Sequence, residues 1–502
     1  MIGIETEYGI YVEGKGAQDL VDEAGYLVKL VPSPTVAGRW DYKQEHPRRD
    51  MRGFTVDHLS IDPNDAQFEQ TGRPHSTDIE VRSDRVLPNG ARLYNDHGHP
   101  EYATPECTSL REVIAHDRAG ERWMQRLAER RMKQLGAESL VAMYKNNTDF
   151  HGASYGTHES YLMRREVPFD RVLEGLLPFF ATRQLYAGAG KVGMENAGAN
   201  PPTLFQLSQR ADFFTTLASV DTLYNRPIVN TRDEPHADAR RFRRLHVICG
   251  DANFAEVATL LKIGTTLLVL RLIEQDLAPK SILLRDPVAA VKQVSADQKL
   301  KWCVERQGSG TIGAVDVQRA YLAAAKEHFT GLSPDTDTVL IEWEQVLNTL
   351  ETDPLSLSDT LDWAAKRALL EGFMDAEGIS GWDDPYLQSL DLEYHNTDPA
   401  AGLYYALEQE EKIRRVVTED EIVTALDTPP AGSPRAIARG LAVRKFPEAV
   451  QKISWGGFTL EHGEQSAAIR MADIQEREPR ALAAALEAAA TPAAFITVLE
   501  GK

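Results

Sequence analysis

The sequence predicts an α+β fold in which an antiparallel sheet carries the functional site and helices lie behind it. Strand-like segments dominate the first half of the chain and helical periodicity dominates the rest, and strands segregated from helices favour an antiparallel sheet over alternating βαβ units. A chain of 502 residues, 42% hydrophobic and 26% charged, buries a full core and has room for a large domain and a small one.

The first strand is expected over Ile2 to Val12, where Glu5 and Glu7 take alternate positions of an apolar run and so face one way. Carboxylates on one strand face repel unless a cation sits between them, and oxygen-rich sites of this kind suit magnesium. Residues 41–88 are polar, rich in Asp, Arg, Pro and Gly, and weakly periodic. They read either as a mobile insert loop over the site or as plain disorder. A second strand is expected from Arg92 to Asp96, with Arg92, Tyr94 and Asp96 on one face. Gly98 and Pro100 are expected to bend the chain and return Glu101 and Glu106 toward them. A solvated edge strand with a charged loop is the plainer reading of the same residues.

Further strands are expected over Leu140 to Lys145, Ser160 to Met163 and Leu245 to Cys249. The segment Gly152 to Ser160 is either a glycine-rich hairpin or a tight loop that delivers His158 into a strand. The run Arg240 to His246 concentrates positive charge in an acidic chain. On a strand, Arg244 and His246 share a face, opposite Arg243, Leu245 and Val247, so a guanidinium for phosphate and an imidazole for a metal can address one ligand. A solvated basic turn explains the run equally well. Val257 to Leu272 reads as a buried helix with Asp251 or Asn253 near its N-cap; Lys262 and Arg271 interrupt it, and it is too short to span a bilayer. Amphipathic helices are expected near Val315–Phe329, Val339–Leu350, Leu357–Phe373 and Arg480–Ala490. The segment Thr428 to Pro434 has the composition of a hinge, which divides the chain into residues 1–427 and a small unit at 435–502. There, Trp455 either stacks on a base or fills a core.

Composition excludes several classes. A net charge of −20 argues against general nucleic-acid binding, which needs a basic face. Cys107, Cys249 and Cys303 lie far apart with no CxxC spacing, and no secretory leader is evident, which together suggest a reducing cytoplasm without membrane insertion. No phosphate loop or HExxH helix is present, no GxGxxG is read as opening a helix after a strand and no GxSxG as a nucleophile elbow, so any ATP must be held by metals, arginines and a sheet face.

Five motifs, taken in order, resemble the family of Pup ligases and Pup deamidase/depupylases, relatives of glutamine synthetase and carboxylate-amine ligases. They are Ile4-Glu5-Thr6-Glu7-Tyr8-Gly9, Gly90 through Asp96, His99 through Cys107, Tyr155 through Ser160, and Asn230 through His236. The match runs from residue 2 to about 460. Asp96-His97-Gly98-His99 and the long insert between Trp40 and Asn89 resemble the deamidase/depupylase side of the family; ligases have a short connection there and no such histidine.

The resemblance implies a glutamine-synthetase-like sheet cradle backed by helices, with ATP and Mg2+ at one end and the C-terminus of the acidic modifier Pup at the other. It implies Glu5, Glu7, Tyr94, Glu101, His158 and His246 around the metals and Arg92, Thr104, Glu106, Arg244 and Trp455 around the nucleotide. Arg210 and Arg232 fall near the Pup end, where cations suit an acidic partner. Asp96 is the implied catalytic carboxylate, as nucleophile or base, for hydrolysing the C-terminal glutamine amide of Pup and the Pup–lysine isopeptide bond. A Pup–protein ligase and a non-catalytic, nucleotide-regulated Pup-binding protein are the alternatives.

Overall fold

The computed structural model describes residues 1–60, 83–136, 139–150, 152–195 and 204–501. Part of the expected insert, residues 61–82, lies outside them.

A seven-stranded sheet organises the molecule. Its strands, in chain order, are β1 (Ile2–Glu7), β2 (Val36–Ala37), β3 (Arg85–Val86), β4 (Arg92–Asp96), β5 (His99–Ala103), β6 (Thr157–Arg164) and β7 (Phe242–Gly250). The spatial order is β7-β6-β1-β5-β4-β3-β2, with every neighbouring pair antiparallel. The two-residue period of β1 and β6 separates the faces. Ile2, Ile4, Tyr161 and Met163 are buried in the main core, while Glu5, Glu7, His158 and Ser160 point the other way into a cleft and the recess beside it.

The expected strand Ile2–Val12 is two strands. The chain turns at Tyr8, whose N–H is taken by the Pro100 carbonyl, and residues Gly9–Val12 pair instead with Val141–Tyr144. Pro100 is not a bend either: it lies within β5 opposite Asn95.

Helices do not wait for the second half. α1 (Leu20–Lys29) packs against β4 and β5, and α2 (Leu110–Leu135) and α3 (Phe169–Ala187) precede β7 in sequence. The start of α2 is a capping box: Ser109 accepts from the Glu112 N–H while Glu112 reaches back to Ser109. α4 (Glu256–Glu274) is apolar around most of its circumference and is buried between α2, α3 and the sheet. Its N-terminus is not capped by Asp251 or Asn253. The Asp362 carboxylate accepts from the Phe254 and Ala255 N–H groups, each at 3.0 Å. The later helices Ala314–Phe329, Pro334–Thr352, Asp362–Glu377 and Pro479–Ala488 match the amphipathic stretches, with the third preceded by a short 3-10 segment.

A second apolar cluster lies in the C-terminal part, where helix Pro434–Lys445 and two short helices pack on a three-stranded sheet over residues 450–470. It also recruits Val36, Trp40 and Val86, so the stem of the insert is built into it. Among the described residues no helix is long and apolar enough to cross a membrane. All three cysteines are free thiols.

Candidate active site

The turn between β4 and β5 positions Asp96. His97 and Gly98 have φ of 48° and 94°, the two positive values that a two-residue type I′ turn requires. Asn95 Oδ1 accepts from the Gly98 N–H at 3.0 Å. Asp96 is thereby set opposite His99 at the hairpin end, with its Oδ2 3.0 Å from His97 Nδ1. His99 in turn stacks on Tyr155, ring centroids 4.4 Å apart.

Register carries the rest of the cluster. Glu7 is paired with Glu101, Glu101 with Tyr94, and Glu5 with His158, so residues remote in sequence become cross-strand neighbours. Two groups of donor atoms result, Glu5–His158–His246 and Glu7–Asp96–Glu101, and within each the atoms lie within 4.8 Å of one another. Arg244 Nη1 lies 3.1 Å from Glu5 Oε1 and Arg244 Nη2 lies 3.4 Å from Glu234. His246 Nε2 and His158 Nδ1 face Glu5 Oε2 at 3.6 and 3.8 Å. Glu7 accepts from the Gly156 N–H at 2.9 Å; an added Cβ at Gly156 would collide with the His158 ring.

Burial pushes the Glu101 carboxyl well above its ordinary range, and the negative charges of Asp96, Glu7 and Glu5 push it further. Burial also raises the Glu5 carboxyl, but the neighbouring His158 and His246 rings and Arg244 outweigh it and hold Glu5 well below. His246 is lowered to about 3 by burial and then by Arg244, so its imidazole is neutral. Tyr94 stays a neutral phenol, raised by burial and by Glu101 and Asp96.

These residues line a cleft of about 720 Å³ together with Arg92, Arg210 and Arg232. The far wall comes from the described part of the insert, including Glu45, Arg48, Asp57 and His58. Arg210 is buried, donates to the Tyr155 carbonyl at 2.9 Å and leaves its Nε without a partner among the described residues. Arg232 donates to the Val220 carbonyl and the Thr222 hydroxyl.

A smaller recess of about 80 Å³ opens beside the cleft along the start of β1. Thr104 and Glu106 line only the recess, whereas Glu5, His236, Arg244 and Trp455 line both spaces. The Thr104 hydroxyl accepts from the Ile4 N–H at 3.0 Å. Glu106 does not return to Tyr94 and Asp96 as expected; it pairs with Arg435 and Arg439 from helix Pro434–Lys445. Trp455 is half-buried, with the Arg439 guanidinium 4.6 Å over its ring and the Trp40 ring at its edge, 5.3 Å away. Arg92 is placed on the cleft side only. Its guanidinium lies between the rings of Tyr94 and Trp40, at 3.7 and 4.1 Å, and pairs with Asp84.

A family profile described as Pup-ligase protein matches residues 1–459. The chain belongs to the Pup-ligase protein family. It is 42% identical over 465 residues to "Depupylase" of Acidothermus cellulolyticus, covering 91% of this chain and 90% of that protein. It is 40% identical over 473 residues to "Pup deamidase/depupylase" of Mycolicibacterium smegmatis, covering 93% and 92%. The "Pup--protein ligase" of Nakamurella multipartita is 44% identical over 367 residues, covering 72% of this chain and 80% of that one. Among solved structures, the complex of Pup with its ligase PafA has a TM-score of 0.77 at 30% identity, covering 97% of this chain and 91% of that chain. PafA in complex with ADP has a TM-score of 0.73 at 30% identity, covering 89% and 95%. The antiparallel cradle backed by helices is therefore the fold of the Pup-ligase family.

The donor groups fit divalent cations. Both ring nitrogens of His246 and Glu101 Oε1 are buried without a hydrogen-bond partner among the described residues, and unsatisfied donors of this kind, beside three further carboxylates, are costly unless a cation joins them. Sequence reasoning overlooked Arg435 and Arg439, and gave no role to Glu234, His236 and Ser160, which also line the cleft or the recess. The one signal for the arginines was their i,i+4 spacing after the Ser433–Pro434 helix start.

Proposed function

We propose that this protein hydrolyses the side-chain amide of the C-terminal glutamine of Pup to glutamate, and the isopeptide bond between Pup and substrate lysines, with ATP and Mg2+ bound. The observation that carries the reading is the convergence of Asp96 with Glu7 and Glu101 at the end of a cleft whose other walls supply Arg210 and Arg232. In sequence, relatives named for depupylation match over nine-tenths of the chain and the Nakamurella ligase over 72% of it, which favours hydrolysis over ligation.

In this reading Asp96 is either the nucleophile or the base. As nucleophile, a carboxylate oxygen bonds to the γ-carbonyl carbon, the C–N bond breaks, nitrogen leaves with a proton as ammonia or the lysine amine, and water then cleaves the acyl intermediate. As base, Asp96 takes a proton from the water whose oxygen bonds to the γ-carbonyl carbon and passes it to the nitrogen that departs as the C–N bond breaks. Arg210 and Arg232 offer positive charge to the acidic partner and to the developing oxyanion. Arg232 feels the charge of Asp96 and Arg210 that of Glu7. Mg2+ bound by Glu5, Glu7, Tyr94, Glu101, His158 and His246 would neutralise the carboxylates and polarise a carbonyl or phosphate oxygen. Thr104, Glu106, Arg244 and Trp455 would line the nucleotide site, with Arg92 holding its wall; the ADP complex of PafA supports a nucleotide here. We take residues 1–427 as the catalytic unit, 41–88 as an insert loop near its site, 435–502 as the small C-terminal unit, and the cytoplasm, where free thiols persist, as the location.

Incubating the purified protein with ATP, Mg2+ and Pup ending in glutamine tests the proposal by mass spectrometry. Conversion of the terminal amide to the acid is expected. Conjugation of glutamate-ended Pup to a lysine-bearing protein would mark a ligase, and binding without either reaction a regulated Pup-binding protein.

A further inference from the structure

Arg210 reaches the cleft from the residue before a short 3-10 turn, Ala211–Phe213. Its Nη1 donates to the Tyr155 carbonyl, and its Nε has no hydrogen-bond partner among the described residues. A long side chain has several torsions, so the aim of its charge depends on how firmly the backbone beneath it is fixed.

That backbone is held by Asp251, a buried residue that follows β7. Its Oδ2 accepts from the Gln209 N–H and the Ala189 N–H, and its Oδ1 from the Ser208 hydroxyl, all at 2.9 Å. The Ser208 hydroxyl in turn accepts from the Arg210 N–H at 3.1 Å. Asp251 therefore grips the two residues before Arg210 directly and Arg210 itself through one hydroxyl. Its charge also acts on the Arg210 guanidinium. Asp251 is fixed in its own right, because its carbonyl accepts from Lys262 Nζ on α4 at 2.8 Å. On the other side of the turn Gln209 Oε1 accepts from the Asn147 N–H at 2.7 Å, and the Asn147 amide donates to the same Tyr155 carbonyl that Arg210 holds. Hydrogen bonds to a carboxylate are roughly twice as strong as neutral ones, and three of them on one buried group make a stiff mount. Arg232, by contrast, is held by the Val220 carbonyl and the Thr222 hydroxyl.

We propose that Asp251 is a positioning residue that aims Arg210 at the reacting end of Pup. Its kinetic consequence rests on the hydrolase reading. Asp251 is not among the described residues that line the cleft or the recess, so it acts through Arg210 and not on the substrate. The position calls for a carboxylate because all three partners donate. An asparagine offers one acceptor oxygen and turns an NH2 group on a donor. Displacing a reacting group by about 1 Å costs on the order of a hundredfold in rate, so a small shift of the turn is enough.

A double-mutant cycle on single-turnover conversion of glutamine-ended Pup, with ATP and Mg2+ present, separates aiming from general damage. Asp251→Asn should slow the wild type by about tenfold or more, yet slow Arg210→Ala by less than about threefold, because the group it aims is gone. Nucleotide affinity should not change. Losses that multiply in full, or a matching loss of nucleotide affinity, would mean that Asp251 acts through something other than Arg210 and overturn the proposal. Modification by phenylglyoxal, mapped by peptide mass spectrometry, reads the same relationship without turnover. Arg210 should react several-fold faster in Asp251→Asn than in the wild type, with Arg232 unchanged; equal rates at Arg210 overturn the positioning role. Ser208→Ala removes only the hydroxyl between Asp251 and the Arg210 N–H, and provides both readings if Asp251→Asn does not fold. A wild type that converts no Pup overturns the hydrolase reading, and the labelling then decides by itself whether Asp251 sets Arg210.

Discussion

Arg439, on helix Pro434–Lys445, pairs with both carboxylate oxygens of Glu106, which follows β5 of the seven-stranded sheet. Arg439 also donates to the Gly90 carbonyl and lies over Trp455. One buried guanidinium thus ties the sheet, the hairpin before β4 and the aromatic wall of the recess together. Arg435, one helical turn earlier, adds a second contact to Glu106 at 3.2 Å.

This clasp predicts a pH dependence. Burial raises the Glu106 carboxyl, but Arg439 and Arg435 outweigh it and lower it from 4.5 to about 2. A depressed carboxylate stabilises the folded state fully above its unfolded value, and that contribution, about 3 kcal/mol, is lost as pH falls from about 4.5 through 2. Urea unfolding of wild type and Glu106→Gln across that range should show a shallower pH slope in the variant. The variant should also be weaker at neutral pH by roughly 3–5 kcal/mol, since two buried guanidiniums lose their counter-charge. Parallel slopes would refute the assignment.

Asp96→Asn is nearly isosteric but removes the charge that both proposed roles of Asp96 require. Turnover of glutamine-ended Pup should fall on the order of a thousandfold or more, while nucleotide binding persists. Because Asp96 is one of the charges that disfavour ionised Glu101, the thermal midpoint should be equal or higher. Appreciable residual turnover at full occupancy would count against the catalytic role.

Gly98 reports on the hairpin that aims Asp96. Its φ of 94° suits glycine, and an added Cβ would lie 3.2 Å from Val21 Cγ2 on α1. Gly98→Ala should cost about 1–2 kcal/mol of stability and lower kcat as well, because relief of the strain rotates the strand end that carries Asp96. Calorimetry alongside single-turnover assays would detect this; unchanged values in both would mean that the turn tolerates a side chain.

Much of the site was legible from period-two patterning. The alternation of Glu5 with Glu7, of Arg92 with Tyr94 and Asp96, and of Arg244 with His246 puts each set on the cleft-facing side of its strand. Register is not written locally, so nothing in either segment names Glu101 as the cross-strand neighbour of Glu7. The early helices escape a strand-first reading for another reason. In α2 the apolar residues Leu110, Val113, Ile114, Met124 and Leu127 do recur at helical spacing on a buried face, and the Ser109–Glu112 capping box was available as a start signal, so a reading that looked first for alternating strands passed over a helix the sequence marks. Arg435 and Arg439 sit more than 300 residues from Glu106, and no local pattern announces a tertiary ion pair at that separation.

The same limit explains Asp362, and the consequence can be measured. Asp251 and Asn253 precede α4 and have the right chemistry for a cap, yet Asp251 is occupied by the Ala189 and Gln209 N–H groups and the Ser208 hydroxyl. Asn253 itself donates to Asp362. Asp362, at the start of helix Asp362–Glu377, instead fixes the residues that lead into α4: its carboxylate takes the Phe254 and Ala255 N–H groups, the Asn253 amide and the Tyr394 hydroxyl, while the N-cap Ala255 offers no side-chain acceptor. Burial raises this carboxyl, and its hydrogen bonds to Ala255, Asn253 and Phe254 only partly offset that, leaving it above its usual range. Asp362→Ala removes the acceptor from buried donors, each costing about 1–3 kcal/mol when unsatisfied, so a loss of at least about 3 kcal/mol is expected. Asp362→Asn keeps one acceptor oxygen and should recover part of that loss. Hydrogen exchange should show the Phe254 and Ala255 amides deprotected in Asp362→Ala and much less so in Asp362→Asn; equal protection in both variants would mean that this anchor before α4 is dispensable.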